Sequence, residues 1–177
     1  MPAHPRPLRA VWLDDDFGKP REPLLLRPYE SWFNQQAIEL AKASTLAEFG
    51  RRLQVDPPAD LLIVDVMLHN ELDETFHALG FDEDTILRMD AGVQVVALIR
   101  DRPHPPDAAH HWMERCRHIP VLLLSMSNII DTIVSSYLPQ ERDRRFLTVV
   151  QKEYELGEVK VTDTLTEAVR QARLFSH

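Results

Sequence analysis

The sequence has 177 residues, of which 44% are apolar and 27% are charged, and its formal net charge at pH 7 is −8. This length and composition predict a single globular domain with a sizeable core and argue against wholesale disorder. No apolar stretch approaches the roughly 20 residues of a membrane-spanning helix, and the acidic balance would repel phosphate backbones, so we expect neither a membrane span nor nucleic-acid binding.

Five strand-length segments are predicted along the chain. Four are continuous apolar runs, which suit strands covered by helices on both faces of a parallel sheet. The fifth segment, Ala37–Ala43, is less regular and suits an edge strand. The four continuous runs are Leu8–Leu13, Leu61–Val64, Val121–Leu124 and Phe146–Val150.

Segments with helical periodicity lie between these strands. The motifs Thr45–Glu48 and Thr164–Glu167 predict capping boxes, each followed by an apolar stripe. Two further helices are predicted over Gly92–Arg100 and over Asp131–Leu138, the latter with a cap at Ser127 or Asn128. The alternation of strand and helix predicts a doubly wound α/β fold, with a five-stranded parallel sheet and helices on both faces.

Two connections are longer than usual loops, the acidic segment 69–90 and the Pro- and His-rich segment 101–118. Short helices over Glu83–Met89 and Ala108–Arg117 are compatible with them. The acidic segment is interpreted as a partner-docking surface, as a lid or as an ordinary surface loop, and these alternatives stay open.

Histidines and tryptophans offer weaker signals. The histidines of the second connection match no standard zinc motif, so we interpret them and the neighbouring Cys116 as part of a solvated loop. The tryptophans are interpreted as core or groove packing. These residues are His104, His110, His111 and His118, and Trp12, Trp32 and Trp112.

Polar side chains stand at the ends of the predicted strands: Asp14–Asp16, Asp65, Ser125 and Lys152. Parallel sheets bind ligands beside the carboxyl ends of their strands. Two carboxylates about 4 Å apart repel by roughly 4 kcal/mol at an effective dielectric constant near 20, so a cation is expected between them. Because all these acidic ligands are oxygens, the expected ion is Mg²⁺, with the lysine balancing a further anion.

The strand-end segments resemble the signature segments of the receiver domain of bacterial two-component response regulators, and the resemblance spans nearly the whole chain. It implies a receiver or flavodoxin-like sheet with strand order 2-1-3-4-5. The segments that carry it are Val11–Asp16, Leu61–Leu68, Ile119–Ser125 and Val149–Lys152.

The resemblance implies a role for each matching acidic position. Asp65 corresponds to the phosphoacceptor, which receives a phosphoryl group from a histidine kinase or phosphotransfer protein. Asp14 and Asp15 correspond to the acid pair that binds Mg²⁺ together with Asp65, and Asp15 is favoured as the direct ligand. The backbone carbonyl of Met67 is the fourth implied metal ligand.

Two polar positions complete the implied site, and three departures mark this chain. Ser125 stands where the family has a hydroxyl that meets a phosphoryl oxygen, with Ser127 as the alternative, and Lys152 matches the lysine that neutralises the phosphoryl charge. Val149 replaces the usual aromatic switch residue, Glu153 replaces a proline after the lysine, and His69 replaces a common proline. We therefore expect phosphorylation chemistry with an altered coupling to the last helices.

The leading interpretation is a stand-alone receiver that acts through a downstream protein target and does not turn over a substrate. The segment preceding the first strand lacks the apolar region of a signal peptide, and a lone cysteine forms no internal disulfide, so we expect a cytoplasmic protein. A homodimer is compatible with the resemblance. The alternatives are a pseudo-receiver adaptor that works without phosphorylation and, ranked last, a Mg²⁺-dependent phosphohydrolase, which would carry an acid at the position of Met67. Arg142, Arg144 and Arg145 are only a weak candidate for a basic patch that could contact nucleic acid, and they do not alter these interpretations.

Overall fold

In a computed structural model of the chain, five parallel strands form one sheet in the order 2-1-3-4-5, numbered along the chain. The predicted α/β fold and its strand order are therefore confirmed. The structure describes residues 6–68, 74–81, 90–100, 111–126, 129–138, 147–152, 154–155, 158–159 and 163–175. The strands of the sheet are β1 Leu8–Leu13, β2 Ile38–Ala43, β3 Leu61–Asp65, β4 Val121–Ser125 and β5 Leu147–Gln151.

The strand bounds follow the predicted apolar runs closely. The first run coincides with β1, and the third and fourth strands of the chain extend one residue further, so that they include Asp65 and Ser125. The edge strand β2 begins one residue after Ala37, whose positive φ of 56° breaks the extended conformation. For β5, Phe146 lies outside the described residues.

Helices connect the strands and cover both faces of the sheet. The helices predicted to begin at Gly92 and at Asp131 are present, and each begins one residue earlier, at Ala91 and at Ile130. The helices are α1 Glu22–Leu25, α2 Arg27–Gln35, α3 Leu46–Leu53, α4 Glu74–Ala78, α5 Ala91–Arg100, α6 His111–Cys116, α7 Ile130–Tyr137 and α8 Asp163–Phe175. Within the described residues, none of them combines the length and apolarity needed to cross a bilayer.

Alternate residues of the strands contribute to two separate hydrophobic cores, one on each face of the sheet. In β1, Val11 and Leu13 point toward the core that includes Phe49 and Trp112, whereas Trp12 points toward the core that includes Phe33. This alternation follows from the two-residue period of a strand. Both faces are apolar because both are covered by helices, which is why the strands appear in the sequence as continuous apolar runs.

The capping box predicted at Thr45 is confirmed in its main contact. The Thr45 Oγ1 atom accepts a hydrogen bond of 3.1 Å from the Glu48 backbone N–H, and α3 begins at Leu46. The Glu48 carboxylate accepts from the Ser44 backbone N–H at 2.9 Å, one residue before the cap. Together these contacts satisfy donors at the start of α3.

Two predicted helix caps are wrong. Helix α8 begins at Asp163, so Thr164 lies inside its first turn, and the Glu167 carboxylate accepts from the Arg170 guanidinium instead of closing a capping box. The N-cap position of α7 is Ile129, which has no side-chain cap, whereas the predicted caps Ser127 and Asn128 lie outside the described residues.

Both long connections contain short helices. In the first, α4 buries Phe76, and the predicted helix Glu83–Met89 lies outside the described residues. In the second, α6 buries Trp112, Met113 and Cys116, so the expected solvated loop is wrong for this part. His111 and His118 are exposed, as expected, and His104, His110 and the predicted helix start at Ala108 lie outside the described residues.

Three helices, α1, α2 and α4, and a hairpin were not predicted from the sequence. Helices α1 and α2 each have proline in the first turn, where its missing N–H leaves no intrahelical hydrogen bond unmade. The short antiparallel hairpin pairs β6 Tyr154–Glu155 with β7 Glu158–Val159.

Candidate functional site

The carboxyl edge of the sheet brings together polar residues from four strands. Asp14 follows β1, Asp65 and Ser125 are the last residues of β3 and β4, and Lys152 follows β5. All four are at least 94% buried. Buried charges are uncommon unless they are paired, so this group of side chains marks a site.

The Lys152 ammonium group is the centre of the site. Its Nζ atom lies 2.5 Å from Asp65 Oδ1 and 2.9 Å from Asp14 Oδ2, so it bridges the ends of β1 and β3. The Lys152 backbone N–H donates to the Ser125 carbonyl at 2.6 Å, which fixes the lysine beside the end of β4. The side chain therefore brings one buried positive charge to two buried carboxylates.

The second oxygen of Asp65 faces the following loop. The Met67 backbone N–H donates to Asp65 Oδ2 at 2.8 Å. Burial raises the pKa of Asp65 to about 7, and the nearby Asp14 carboxylate adds to the rise, while Lys152 and the Met67 N–H oppose it. A carboxylate with a pKa this far above its ordinary value is typical of functional sites, although structural ion pairs also produce such shifts.

The other two members of the bridge are shifted by the same surroundings. Burial raises the pKa of Asp14 above its ordinary value, against the opposing attraction of Lys152. For Lys152, burial alone would lower the pKa, but the carboxylates of Asp65 and Asp14 outweigh it and raise the pKa. The lysine is therefore a fixed cation throughout the neutral pH range.

Asp15 and Asp16 are paired differently from Asp14. The Lys19 Nζ atom lies 2.6 Å from Asp15 Oδ2 and 4.0 Å from Asp16 Oδ1. The Arg21 guanidinium lies 2.9 Å from Asp16 Oδ1. The predicted acid pair is thus divided between two lysines, Lys152 at Asp14 and Lys19 at Asp15.

The oxygen donors near Asp65 are of the chemical type that Mg²⁺ binds. Asp14, Asp15 and Asp65 offer carboxylate oxygens at one edge of the sheet, and Met67 lies two residues after Asp65, as the implied ligand set requires. Oxygen ligands of this type suit a hard divalent cation. Within the described residues, however, no group of three acidic, histidine or cysteine side chains lies close enough together to hold a metal ion, and the carboxylates of Asp14, Asp15 and Asp65 pair with lysine amino groups.

Gly92 contributes to the site in a way the sequence did not reveal. Its backbone N–H donates to the Val66 carbonyl at 3.1 Å, so α5 starts against the end of β3. A Cβ atom at this position would lie 1.9 Å from the Asp65 carbonyl oxygen. Only glycine permits this approach, and the signal in the sequence was merely a glycine near a helix start.

A hydrogen-bonded group links α5 to α7. Asp90, which is 93% buried, accepts from the Tyr137 hydroxyl at 2.8 Å and from the Gln94 amide at 2.8 Å. Asp90 was predicted only as the last residue of an acidic insert. The helix that begins beside Asp65 is thereby joined to the helix that follows the Ser125 strand.

The positions that depart from the receiver pattern are only partly described. Val149 lies in β5 and is half-buried, packed against the core that contains Phe49. Glu153 and His69 lie outside the described residues, as do Arg142, Arg144 and Arg145 of the weak basic candidate.

Comparisons with known proteins support the fold. Neither protein-family models nor curated proteins match the sequence. A solved structure described as the yeast Spc42 trimeric coiled coil, amino acids 181–211, fused to another structure is similar over 96% of this chain and 80% of that chain, with 13% identity and a TM-score of 0.52. The N-terminal domain of a response regulator/sensory box/GGDEF 3-domain protein from Carboxydothermus hydrogenoformans is matched over 95% of this chain and 96% of that chain, with 11% identity and a TM-score of 0.47. The likeness to the first of these two structures, at 13% identity, concerns the fold alone.

Proposed function

We propose that the chain is a receiver-like phosphoacceptor, in which Asp65 takes a phosphoryl group. The observation that carries the proposal is the bridge of Lys152 between Asp65 and Asp14 at the buried carboxyl edge of the sheet. A buried carboxylate held beside a fixed cation is placed to accept a group that brings negative charge. The same edge is where open parallel sheets bind ligands.

The proposed reaction moves one phosphoryl group. A carboxylate oxygen of Asp65 forms a bond to phosphorus while the bond from phosphorus to the donor nitrogen of a phosphohistidine breaks. The electron pair leaves with the imidazole, which takes up a proton from water. Phosphoryl transfer depends chiefly on positioning and charge stabilisation, which Lys152 supplies from a fixed place and to which the Ser125 hydroxyl could add a hydrogen bond.

Mg²⁺ is the proposed cofactor, held by Asp14, Asp15, Asp65 and the backbone carbonyl of Met67. When bound, it would supply positive charge to the oxygens of the transferring group. The residues of the chain retain separate tasks, since Asp65 accepts the phosphoryl group and Lys152 balances its charge.

The proposed partners are a histidine kinase or phosphotransfer protein as donor and a downstream protein target. We propose a cytoplasmic signalling role with one phosphorylation per molecule, without steady turnover. Asp90, Gln94 and Tyr137 join α5, which begins beside Asp65, to α7. We propose that this pair of helices carries a structural change from phosphorylated Asp65 to the surface that the target binds.

Intact mass spectrometry tests the proposal. Wild type, Asp65→Asn and Asp16→Asn are incubated with Mg²⁺ and a small-molecule phosphodonor. We expect one phosphoryl adduct on wild type and on Asp16→Asn, because Asp16 pairs with Arg21 outside the bridge. We expect none on Asp65→Asn. An adduct on Asp65→Asn, or steady release of phosphate from a phosphomonoester, would refute the proposal.

A second candidate is an adaptor that binds its partner without phosphorylation. The observation in its favour is that Lys19 and Lys152 already pair with the carboxylates of the site. Failure of wild type to form an adduct with the small-molecule donor and with a phosphorylated histidine phosphotransfer protein would favour this candidate.

A further inference from the structure

We propose that Lys19 is a resident counter-ion of the metal site, and that a divalent cation binds at Asp15 by displacing its amino group. The inference rests on the proposed function in taking Asp15 as a metal ligand. It adds a residue that determines how readily the site accepts the ion.

The first support is the contact itself. Lys19 Nζ lies 2.6 Å from Asp15 Oδ2, and the Asp15 side chain is only 4% exposed. An amino group at this distance occupies one face of the carboxylate oxygen. A divalent cation on the same oxygen would lie close to the ammonium charge, and the repulsion between them makes joint occupancy unfavourable.

The second support is the balance of charge. Three carboxylates, those of Asp14, Asp15 and Asp65, face the amino groups of Lys152 and Lys19. Exchange of Lys19 for a dication, with all three carboxylates ionised, would leave the group neutral. Addition of the dication without that exchange would leave an excess positive charge in a buried site, which is unfavourable.

The third support is the unequal exposure of the two lysines. The Lys152 side chain is 4% exposed and touches two carboxylates, whereas the Lys19 side chain is 36% exposed and touches one closely. Lys19 can therefore leave into solvent, while Lys152 cannot. Asp16 Oδ1, 4.0 Å from Lys19 Nζ, offers the released amino group a neighbouring partner.

The backbone around Lys19 keeps its Cα atom in place during such a movement. The Lys19 N–H donates to the Asp16 carbonyl at 3.0 Å, and its carbonyl accepts from the Glu22 N–H at 3.0 Å. The Glu22 carboxylate in turn accepts from the Gly18 N–H at 2.7 Å. The exchange therefore requires rotation of one side chain and no rearrangement of the turn.

The test is isothermal titration calorimetry with Mg²⁺ alone on wild type, Lys19→Met, Lys19→Arg and Lys42→Met. Removal of the competing charge is expected to tighten Mg²⁺ binding to Lys19→Met by about threefold to tenfold. Lys19→Arg keeps the charge and should bind within about twofold of wild type. Lys42 is the control for net charge, because its side chain is 38% exposed and pairs with Glu30 at 2.6 Å and with Glu22 at 3.4 Å, not with a proposed metal ligand.

Thermal unfolding separates a competing role from a purely structural one. Without metal, Lys19→Met should be less stable than wild type, since Asp15 loses its counter-ion. The stabilisation produced by a fixed Mg²⁺ concentration should be larger for Lys19→Met, because tighter binding to the folded state raises stability further. A residue that merely supports the turn would lower the melting temperature without changing the dissociation constant.

Each result has a defined meaning. Equal or weaker Mg²⁺ binding by Lys19→Met would overturn the Lys19 inference and leave the phosphoacceptor proposal intact. Tighter binding by Lys42→Met to the same degree would also overturn it, because the effect would then reflect net charge. Absence of Mg²⁺ binding in every variant would refute the proposed metal, and the Lys19 inference with it, while the Asp65 adduct remains a separate measurement.

Discussion

Replacement of Gly92 by alanine should destabilise the fold although alanine favours helices. The added Cβ atom would lie 1.9 Å from the Asp65 carbonyl oxygen and 3.0 Å from the Val66 Cα atom. Ordinary contact begins near 3.4 Å, so the first distance is short by about 1.5 Å. The atoms in the way belong to the backbone of a buried strand, which cannot rotate aside as a side chain can.

The magnitude follows from two opposing effects. Forcing an extra methyl group into a packed core costs about 1–3 kcal/mol, and a displacement of this size lies at the upper end. The higher helix propensity of alanine offsets up to about 1 kcal/mol of this destabilisation. The expected net loss is therefore about 2 kcal/mol, or about 4–8 °C in melting temperature for a chain of this length.

The matched comparison is Gly50→Ala in α3. There the nearest atom to the added Cβ is Trp112 Nε1 at 3.0 Å, which belongs to a side chain that can shift by a few tenths of an ångström. Urea unfolding followed by circular dichroism should place Gly50→Ala within about 1 kcal/mol of wild type. The reasoning is refuted if Gly92→Ala is as stable as wild type, or no less stable than Gly50→Ala.

Three further predictions concern a buried hydrogen bond, two helix starts and a buried thiol. Tyr137→Phe removes the hydroxyl that donates to the buried Asp90 carboxylate and should cost about 1.5 kcal/mol in urea unfolding; an unchanged midpoint would contradict the link between α5 and α7. Thr45→Ala should cost about 1 kcal/mol in the same measurement, whereas Thr164→Ala should cost nothing, since Thr164 is exposed inside α8; equal losses would contradict the assigned helix starts. Burial raises the pKa of Cys116 from its ordinary 9.0 to about 12, so alkylation at pH 8 should be far slower in the folded than in the urea-unfolded protein, and rapid labelling of folded protein would contradict the burial. Because this pKa is raised on folding, the stability that the protonated thiol contributes is complete below pH 9 and falls as the pH rises toward 12, an effect that Cys116→Ala should remove.

The strands and the edge of the site could be predicted because one physical cause governs both. A strand buried on both faces needs a continuous apolar run, and the first polar residue after it marks the end of the strand. Parallel strands end at one edge, so Asp14, Asp65, Ser125 and Lys152 had to meet there. The strand order itself came with the resemblance to the receiver domain, and the role of each residue stays a prediction.

The features that were missed depend on contacts between segments far apart in the sequence. Helices α1 and α2 were missed because Pro23 and Pro28 look like helix breakers, yet each occupies a first turn. The closeness of Gly92 to Asp65 depends on how α5 meets β3, which no local pattern records. The pairing of Lys19 with Asp15 depends on the conformation of a turn that contains no periodic signal.

The division of the interior into two cores gives the molecule two internal optical probes. Trp12 packs edge to face against Phe17 and Phe33 on one face of the sheet, with centroid distances of 5.1 and 5.8 Å. Trp112 packs against Phe49 on the opposite face, at 5.9 Å. Trp32 packs against Phe33 on the Trp12 face at 5.1 Å, so variants that keep Trp12 alone or Trp112 alone separate the emission of the two faces. A ligand or partner that changes the emission of one such variant only is thereby assigned to one side of the sheet.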